Sequence, residues 1–431
     1  MRAAPFHPGQ KMSTIFVMSA DDTSLHFDVN KLTPKQIEDY ESNKDLMGFL
    51  QVSLIGLGKP ADYVALYEKF GEQPWPERIE RYGEFFKKMG LDPIPSDHHL
   101  LHPRDGFYDS VAKALPETES ITLYMTSGDN SVLHNDPEAF RISQNVNSKV
   151  HFAENAPGFG LPVPDTLVTT KGGLPSEEVA QFFVKHYNQV MVKVLGLAGA
   201  RNVTSVETVQ ASIVYVAEYG DAMEVILQQK LDLSAYTEMT ADLTVSTTDI
   251  TISNVRQILF AEGIWVGNLI GPDVPLTEEH REWILKVGEY ARAQGFVSDE
   301  GLNCGIDYFI SDDDFQITEI NARWTGGLFP AEMIRQVGAT NETCVAFVDL
   351  VAKDKFEGYL DFIEQYLFAN SDGKFSVIPL GASAIPQMME DGEYYFSWQV
   401  IAGDFEAFKQ ARRDQLGDGV LMRAETISVV L

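Results

Sequence analysis

The sequence predicts a soluble protein of the α/β (α+β) class, and three observations support this prediction. The chain has 431 residues, of which 44% are hydrophobic and 22% charged, and this composition is typical of a globular protein with two or three domains. Apolar runs typical of strands alternate with segments of helical periodicity over roughly the first 140 residues, which predicts a partly parallel sheet. Farther along, two apolar segments joined by an acidic turn predict an antiparallel hairpin.

The composition excludes several classes of protein. The formal net charge is −30 at pH 7, which argues against binding to nucleic acids or anionic membranes, because both need basic patches. No segment approaches the roughly 18 to 20 apolar residues of a membrane span. Two cysteines, Cys304 and Cys344, form no disulfide framework and suit a reducing cytoplasm. We therefore expect a cytoplasmic protein that binds neither nucleic acid nor membrane.

A first α/β domain is predicted over residues 1–145. The segments "STIFVMS" and "ITLYMTSGD" have the composition of strands. The segments "KPADYVALYEKFG" and "PERIERYGEFFKKMG" have helical spacing, with Gly71 and Gly90 as their C-caps. Strands and helices in alternation predict a partly parallel α/β arrangement for this domain.

A second domain is predicted over residues 146–235. Ser148 is expected to cap a short helix, and Ser176 is expected to cap a longer one that has glutamates in its first turn. The segments "VMVKVLG" and "EVILQQKL" predict short strands of the kind that line a cleft.

The third predicted domain spans residues 236–431. A helix is predicted over "TEEHREWILKVGEYARAQG", which has one apolar face and ends at Gly295. Further helices are predicted around "FPAEMIRQVG", "NETCVAFVDLVAKD" and "DFEAFKQARRDQLG", and strands at "FSVIPLG" and "YYFSWQVIAG".

The predicted hairpin joins "GIDYFI" to "FQITEIN". A three-residue loop at residues 312–314 would place Asp307 opposite Glu319 and Phe309 opposite Ile317. A two-residue loop would instead send Asp307 to the other face of the hairpin. We predict the longer loop.

Three polar side chains converge under that register, because side chains alternate between the two faces of a strand. They are Asp307, Glu319 and Asn321. Two carboxylates this close repel each other, and a divalent cation relieves the repulsion. Oxygen donors that include an amide favour Mg²⁺ or Mn²⁺ over zinc, and Mg²⁺ with few protein ligands commonly binds phosphate as well, which indicates a nucleotide. The alternative is a solvated acidic hairpin without a metal.

The segment "EINARWTGG" beside "GIDYF" resembles the metal-binding signature of the ATP-grasp superfamily, whose members are carboxylate–amine ligases that work through acyl phosphates. The resemblance covers the chain between Asn147 and Val337. Three further segments, "NSKVHFAENAPGFGLPVPDT", "VMVKVLGLAGARNV" and "EVILQQKLD", resemble in the expected order the opening segment, the phosphate loop and the interdomain hinge. The resemblance implies an ATP-grasp fold with an N-terminal Rossmann-like domain before it, and homodimers are common in the superfamily.

The resemblance implies a role for each candidate residue. Asp307, Glu319 and Asn321 would hold Mg²⁺ or Mn²⁺. Arg323 would be the catalytic residue, stabilising negative charge on the acyl phosphate or the tetrahedral intermediate. Lysines would neutralise the phosphates of ATP, and the hinge backbone would hold adenine. The implied ATP-binding residues are Lys149, Lys193, Gly199, Arg201, Gln228, Gln229 and Leu231.

The implied activity is that of an ATP-dependent ligase, which activates a small-molecule carboxylate as an acyl phosphate and joins it to an amine, leaving ADP and phosphate. The pattern N-x-R-x-x-G-G most resembles amino-acid and dipeptide ligases, including those of natural-product pathways, so an amino acid is the expected carboxylate. Three alternatives stay open: intramolecular closure to a lactam, an ATP-grasp carboxylase, and a non-catalytic nucleotide-binding module. The sequence departs from the family at Gln228, where glutamate is common, and in its phosphate loop, which has fewer glycines than usual.

Overall fold

The computed structural model describes residues 14–19, 47–114, 120–123, 129–134, 136–194, 203–261, 264–369, 373–389 and 392–417, with single positions between 33 and 45. Within these ranges the strands form three sheets, two of four strands and one of nine. The first and the third sheet share one core, whereas the second has a core of its own.

The first sheet is parallel and has the strand order β3-β2-β1-β4. Its strands are β1 (Thr14–Val17), β2 (Tyr63–Tyr67), β3 (His99–His102) and β4 (Ser120–Leu123). The helices of this region are α1 (Gly48–Leu57), α2 (Trp75–Lys88), α3 (Phe107–Ala114) and α4 (Pro137–Val146). The parallel pairing confirms the arrangement that the alternating pattern predicted.

The second sheet is antiparallel and has the order β5-β8-β6-β7. Its strands are β5 (Thr166–Thr170), β6 (Val190–Val194), β7 (Val203–Val206) and β8 (Glu224–Gln229). Helix α5 (Lys149–Asn155) precedes it, and helices α6 (Glu177–Lys185) and α7 (Val209–Tyr215) cover one face. The hydroxyls of Ser148 and Ser176 accept hydrogen bonds from the first turns of α5 and α6, as predicted. We call residues 166–229 the small domain.

The third sheet is antiparallel and has the order β13-β12-β9-β10-β11-β14-β17-β15, with β16 on β17. Its strands are β9 (Thr237–Val245), β10 (Ile250–Ala261), β11 (Ile264–Ile270), β12 (Leu302–Ile310), β13 (Phe315–Asn321), β14 (Cys344–Ala352), β15 (Phe375–Ala382), β16 (Gln387–Met389) and β17 (Gly392–Gly403). Its helices are α8 (Glu278–Ala293), α9 (Leu328–Val337), α10 (Phe356–Gln365) and α11 (Phe405–Leu416). None of the described helices is both long and apolar enough to cross a bilayer.

One continuous apolar core joins the first sheet to the third, and we call this unit the main body. Ion pairs reinforce the junction on the outside, between α2 and α10. Arg81 Nη2 lies 2.6 Å from Asp361 Oδ1. Lys88 Nζ lies 2.6 Å from Glu364 Oε1. The N-terminal sheet is therefore built into the main body, and α5 also contributes buried residues to that core.

Two predicted helices are strands in the structure. The segment 59–71 contains β2 followed by a short 3₁₀ turn, and the segment 341–354 contains β14. Both strands are buried on both faces, so apolar residues follow one another without the alternation that marks a half-buried strand. Periodicity alone does not separate such a run from a buried helix, and this explains both errors.

Candidate active site

The hairpin of β12 and β13 places the predicted carboxylates opposite each other. Asp307 pairs with Glu319, which confirms the register predicted for them. The turn has four residues, 311–314, because Ile310 pairs with Phe315, so the predicted three-residue loop was wrong. A bulge at Thr318 absorbs the extra residue.

The same bulge changes the pairing on the turn side of the carboxylates. Phe309 pairs with Gln316, and not with Ile317 as predicted. The bulged stretch is tied to the preceding linker, since the Ile317 N–H donates to the Pro162 carbonyl oxygen at 2.7 Å. Bulges of this kind re-aim side chains without disrupting the rest of the ladder.

The predicted metal-binding side chains lie together with two of the predicted cations. Asn321 Nδ2 donates to Asp307 Oδ2 at 3.1 Å, and its Oδ1 accepts from Arg323 Nη2 at 2.9 Å. Glu319 forms an ion pair with Lys149 of α5. The structure thus brings Asp307, Glu319, Asn321, Arg323 and Lys149 into one connected group.

The two carboxyl groups have opposite pKa shifts. Burial and the negative charge of Glu319 raise the pKa of Asp307 to about 6. Burial alone would also raise the pKa of Glu319, but the charge and the hydrogen bond of Lys149 outweigh it and hold that pKa below its ordinary value. Glu319 is therefore neutralised by the ammonium group of Lys149. Asp307 still faces the negative charge of Glu319, and a divalent cation would relieve this repulsion.

A small, partly open pocket lies between the small domain and β13. Lys193 on β6 reaches it because alternate residues of β6 face either the domain core or the pocket. Burial and the charge of Lys149 lower the pKa of Lys193 to about 8. Residues that line the pocket include Lys149, Lys193, Thr166, Gln228, Ile226 and Ile317.

The predicted hinge residues lie at the end of β8. The Gln228 side chain is buried on the pocket wall, where its Nε2 donates to Thr166 Oγ1 at 3.0 Å. Gln229 is exposed, and its N–H already donates to the Asp165 carbonyl oxygen at 2.8 Å. Leu231 is half-buried just beyond the strand. Of the predicted phosphate-loop residues, Gly199 and Arg201 lie outside the described residues.

A buried ion pair that the sequence did not indicate lies behind the signature loop. Asp242 on β9 and Arg256 on β10 are both fully buried. Arg256 Nη1 donates to Asp242 Oδ2 at 2.5 Å, and its Nη2 donates to Thr325 Oγ1 at 3.2 Å. Thr325 in turn donates to Asp242 Oδ2 at 3.0 Å. The pair is therefore hydrogen-bonded directly to the loop that follows Arg323.

The same network sets the path of that loop. Asn303 Nδ2 donates both to Asp242 Oδ1 at 3.0 Å and to the Arg323 carbonyl oxygen at 2.8 Å. A side chain at Gly327 would place its Cβ 2.4 Å from Arg256 Nε, so the second glycine of "NARWTGG" is required by close packing on the guanidinium. The backbone on both sides of Arg323 is thereby held in place.

Glu238 is a further residue of the site that the sequence did not indicate. Burial and the charge of Asp307 raise the pKa of Glu238 to about 8. It shares one face of β9 with Thr240 and Asp242, whereas the alternate residues are apolar and buried. The segment "TEMTADLTV" therefore carries the period-two pattern of a strand whose polar face serves the site, and this signal could have identified it.

Comparisons with known proteins show the fold. No family model and no curated protein matches the sequence. Solved structures similar to this chain include an N5-carboxyaminoimidazole synthase from Aspergillus clavatus in complex with ADP and 5-aminoimidazole ribonucleotide (TM-score 0.56, 12% identity, 95% of this chain and 98% of that chain covered).

Two other solved structures are also similar to this chain. One is a biotin carboxylase from Campylobacter jejuni (TM-score 0.57, 12% identity, 94% of this chain and 91% of that chain covered). The other is a phosphoribosylamine–glycine ligase from Thermotoga maritima (TM-score 0.51, 14% identity, 96% and 97% covered). The likeness extends over nearly the whole of each chain. This protein therefore has the ATP-grasp fold.

Proposed function

We propose that this protein is an ATP-dependent carboxylate–amine ligase. It would convert the carboxylate of an amino acid into an acyl phosphate. It would then join that acyl group to an amine, releasing ADP and phosphate. The observation that carries the proposal is the convergence of Asp307, Glu319 and Asn321 with Lys149 and Lys193 beside one pocket. The similar structures support it, because the synthase from Aspergillus clavatus binds ADP.

The positively charged residues of the site would have two different roles. Lys149 and Lys193 approach the pocket from the main body and from the small domain, and would neutralise the phosphates of ATP from two sides. Arg323 follows the carboxylate strand and stays charged at any physiological pH, so it would stabilise the negative charge that develops on the acyl phosphate.

The donor set fits a hard divalent cation. Among the described residues no three His, Cys, Asp or Glu side chains meet at one point. The amide of Asn321 would therefore complete a set made of Asp307 and Glu319, all with oxygen donors, which suits Mg²⁺ or Mn²⁺. When bound, the cation would offset charge at the transferred phosphoryl group. Asn321 presents its amide nitrogen to Asp307 in this structure, so its ligation would require rotation of the amide.

We further propose that the carboxylate substrate is an amino acid. The pattern N-x-R-x-x-G-G from Asn321 to Gly327 supports an amino acid, as in the amino-acid and dipeptide ligases of natural-product pathways. The similarity to a biotin carboxylase supports bicarbonate as the second candidate, which would make the protein a carboxylase.

The test is release of ADP and phosphate by the purified protein with ATP, Mg²⁺ and pools of amino acids, with bicarbonate in a separate arm. Release that depends on an amino-acid pool and disappears in Glu319→Ala would support the ligase. Release with bicarbonate alone would support the carboxylase. ATP binding without release in any arm would contradict both and leave a nucleotide-binding module.

A further inference from the structure

Three alternate positions of the loop that follows β13 contact one buried polar network. Arg323 does so through its carbonyl oxygen, Thr325 through its hydroxyl, and Gly327 through its lack of a side chain. All members of the network lie outside the set of described residues that line the pocket. We call the network the loop anchor, and its members are Asp242, Arg256, Asn303 and Thr325.

The hydroxyl of Thr325 bridges the two charges of the anchor. It accepts from Arg256 Nη2 at 3.2 Å and donates to the carboxylate of Asp242, whose oxygens lie at 3.1 and 3.0 Å. A guanidinium can only donate and a carboxylate can only accept, so the group between them must do both, as a hydroxyl does. The methyl group of Thr325 also has a fixed place, because a side chain at Gly305 would collide with it.

The amide of Asn303 extends the anchor to the backbone of Arg323. Its Nδ2 donates to Asp242 Oδ1 and to the Arg323 carbonyl oxygen, so both hydrogens of the amide are used. The guanidinium of Arg323 in turn takes its direction from adjacent residues. Its Nη2 donates to Asn321 Oδ1 at 2.9 Å, and its Nη1 donates to the Trp324 carbonyl oxygen at 3.3 Å. The direction of this buried guanidinium therefore depends on a backbone that the anchor holds.

We propose that the loop anchor positions Arg323 for the negative charge that develops during acyl transfer. Thr325 and Asn303 are then positioning residues, which act through Arg323. A preorganised cation stabilises such charge because it does not have to reorient during the reaction. Misplacement of a group by about 1 Å can lower a rate about 100-fold. This inference rests on the proposed function, since it takes Arg323 as the catalytic residue.

The experiment compares Thr325→Val with Thr325→Ser in the full chain. It measures ADP release with ATP, Mg²⁺ and the amino-acid pool that supports release, and ATP affinity by calorimetry. Valine keeps the shape but bridges neither charge, so kcat should fall about 10- to 100-fold. ATP affinity and KM should stay within about twofold, because the lost stabilisation belongs to the transition state. Serine keeps the hydroxyl and should restore most of kcat.

Asn303→Asp is a second variant of nearly unchanged shape. It places an oxygen against the Asp242 carboxylate and the Arg323 carbonyl, two groups that can only accept, so kcat should again fall with ATP affinity retained. Ser397→Ala is the control for general destabilisation. It removes a fully buried hydroxyl of the same sheet, which donates to the Tyr359 hydroxyl at 3.0 Å, and should leave kcat unchanged.

Two results would overturn the role of the anchor while leaving the ligase proposal intact. One is a folded Thr325→Val protein with the kcat of wild type. The other is a similar loss of kcat in Thr325→Val and Ser397→Ala, which would indicate general destabilisation. A wild-type protein that binds ATP but releases no ADP with any substrate would instead contradict the proposed function, and this inference with it.

Discussion

The main body and the small domain hold their buried charges in different ways. In the main body, buried cations face buried anions within the same unit, as in the pairs Asp242–Arg256 and Asp349–Arg412. In the described part of the small domain the one buried charged side chain is Lys193. The anions that face Lys193 belong to the other unit, namely Glu319, Glu238 and Asp307.

This difference shows that the site combines residues held rigidly in the main body with a lysine carried by the separately packed small domain. The carboxylates and Arg323 are attached to a hydrogen-bonded network inside one large core. The small domain packs its own apolar core and brings a single cation to the pocket. Lys193 is therefore stabilised only where the two units meet, and the position of the small domain decides the charge balance of the pocket.

The largest effect is expected from Arg256→Met, which leaves Asp242 buried without a cation. Loss of one partner of a buried pair costs about 3 to 5 kcal/mol of unfolding free energy. Lys185→Met is the control, because its pair with Asp165 is exposed and should contribute less than about 1 kcal/mol. Urea unfolding measures both. Similar small losses in the two variants would contradict the view that the network supports the main body.

A second prediction compares two fully buried leucines, Leu227 of the small domain and Leu243 of β9. Each change to alanine should cost about 2 to 5 kcal/mol, because a cavity remains. Hydrogen exchange should rise only within residues 166–229 in Leu227→Ala, and throughout the chain in Leu243→Ala. Faster exchange across β9 and β12 in Leu227→Ala would show that the small domain does not unfold separately.

A third prediction concerns the two lysines that reach the pocket from opposite units. Lys149→Met and Lys193→Met should each weaken ATP binding by about 10- to 100-fold, because each removes a charge-assisted hydrogen bond to phosphate. Lys286→Met is the control, since this lysine donates to the Gly160 carbonyl oxygen and does not line the pocket. Calorimetry measures the affinities. A loss confined to one lysine would mean that only one unit contacts the phosphates.

A fourth prediction is a pH dependence at Glu238. Its pKa is raised from 4.5 to about 8 in the folded protein, so the native state keeps a proton that the unfolded chain releases. The unfolding free energy of wild type should therefore fall as the pH rises from 4.5 to about 8. Glu238→Gln removes this titration and should gain stability over wild type through the same window. Parallel pH profiles of the two proteins would contradict the assignment.

The sequence predicted those parts of the site that depend on local pattern. Alternation along β12 and β13 placed Asp307 and Glu319 on one face, and the bulge preserved that pairing although the turn was one residue longer than expected. The acidic turn residues did not indicate the bulge, because the hydrogen bond that anchors it joins the Ile317 N–H to the carbonyl oxygen of Pro162, in another segment. The pairing of Phe309 was wrong for that reason.

Long-range contacts account for what the sequence did not indicate. Asp242 and Arg256 lie on neighbouring strands. Both form hydrogen bonds with Thr325, in a loop some 70 to 80 positions farther along the chain. No spacing within either segment marks them as partners. The errors at β2 and β14 have a related cause, since burial on both faces by distant elements removes the alternation that identifies a strand.

The anchored bulge at Thr318 has a practical consequence for protein engineering. Because the Ile317 N–H is bonded outside the hairpin and the bulge lies between the turn and the carboxylates, we expect the positions of Asp307 and Glu319 to depend little on the length of the 311–314 turn. Asp312 and Asp313 are exposed. A short peptide tag or a fluorophore-bearing residue inserted between them would thus report on this hairpin from the surface without displacing its carboxylates.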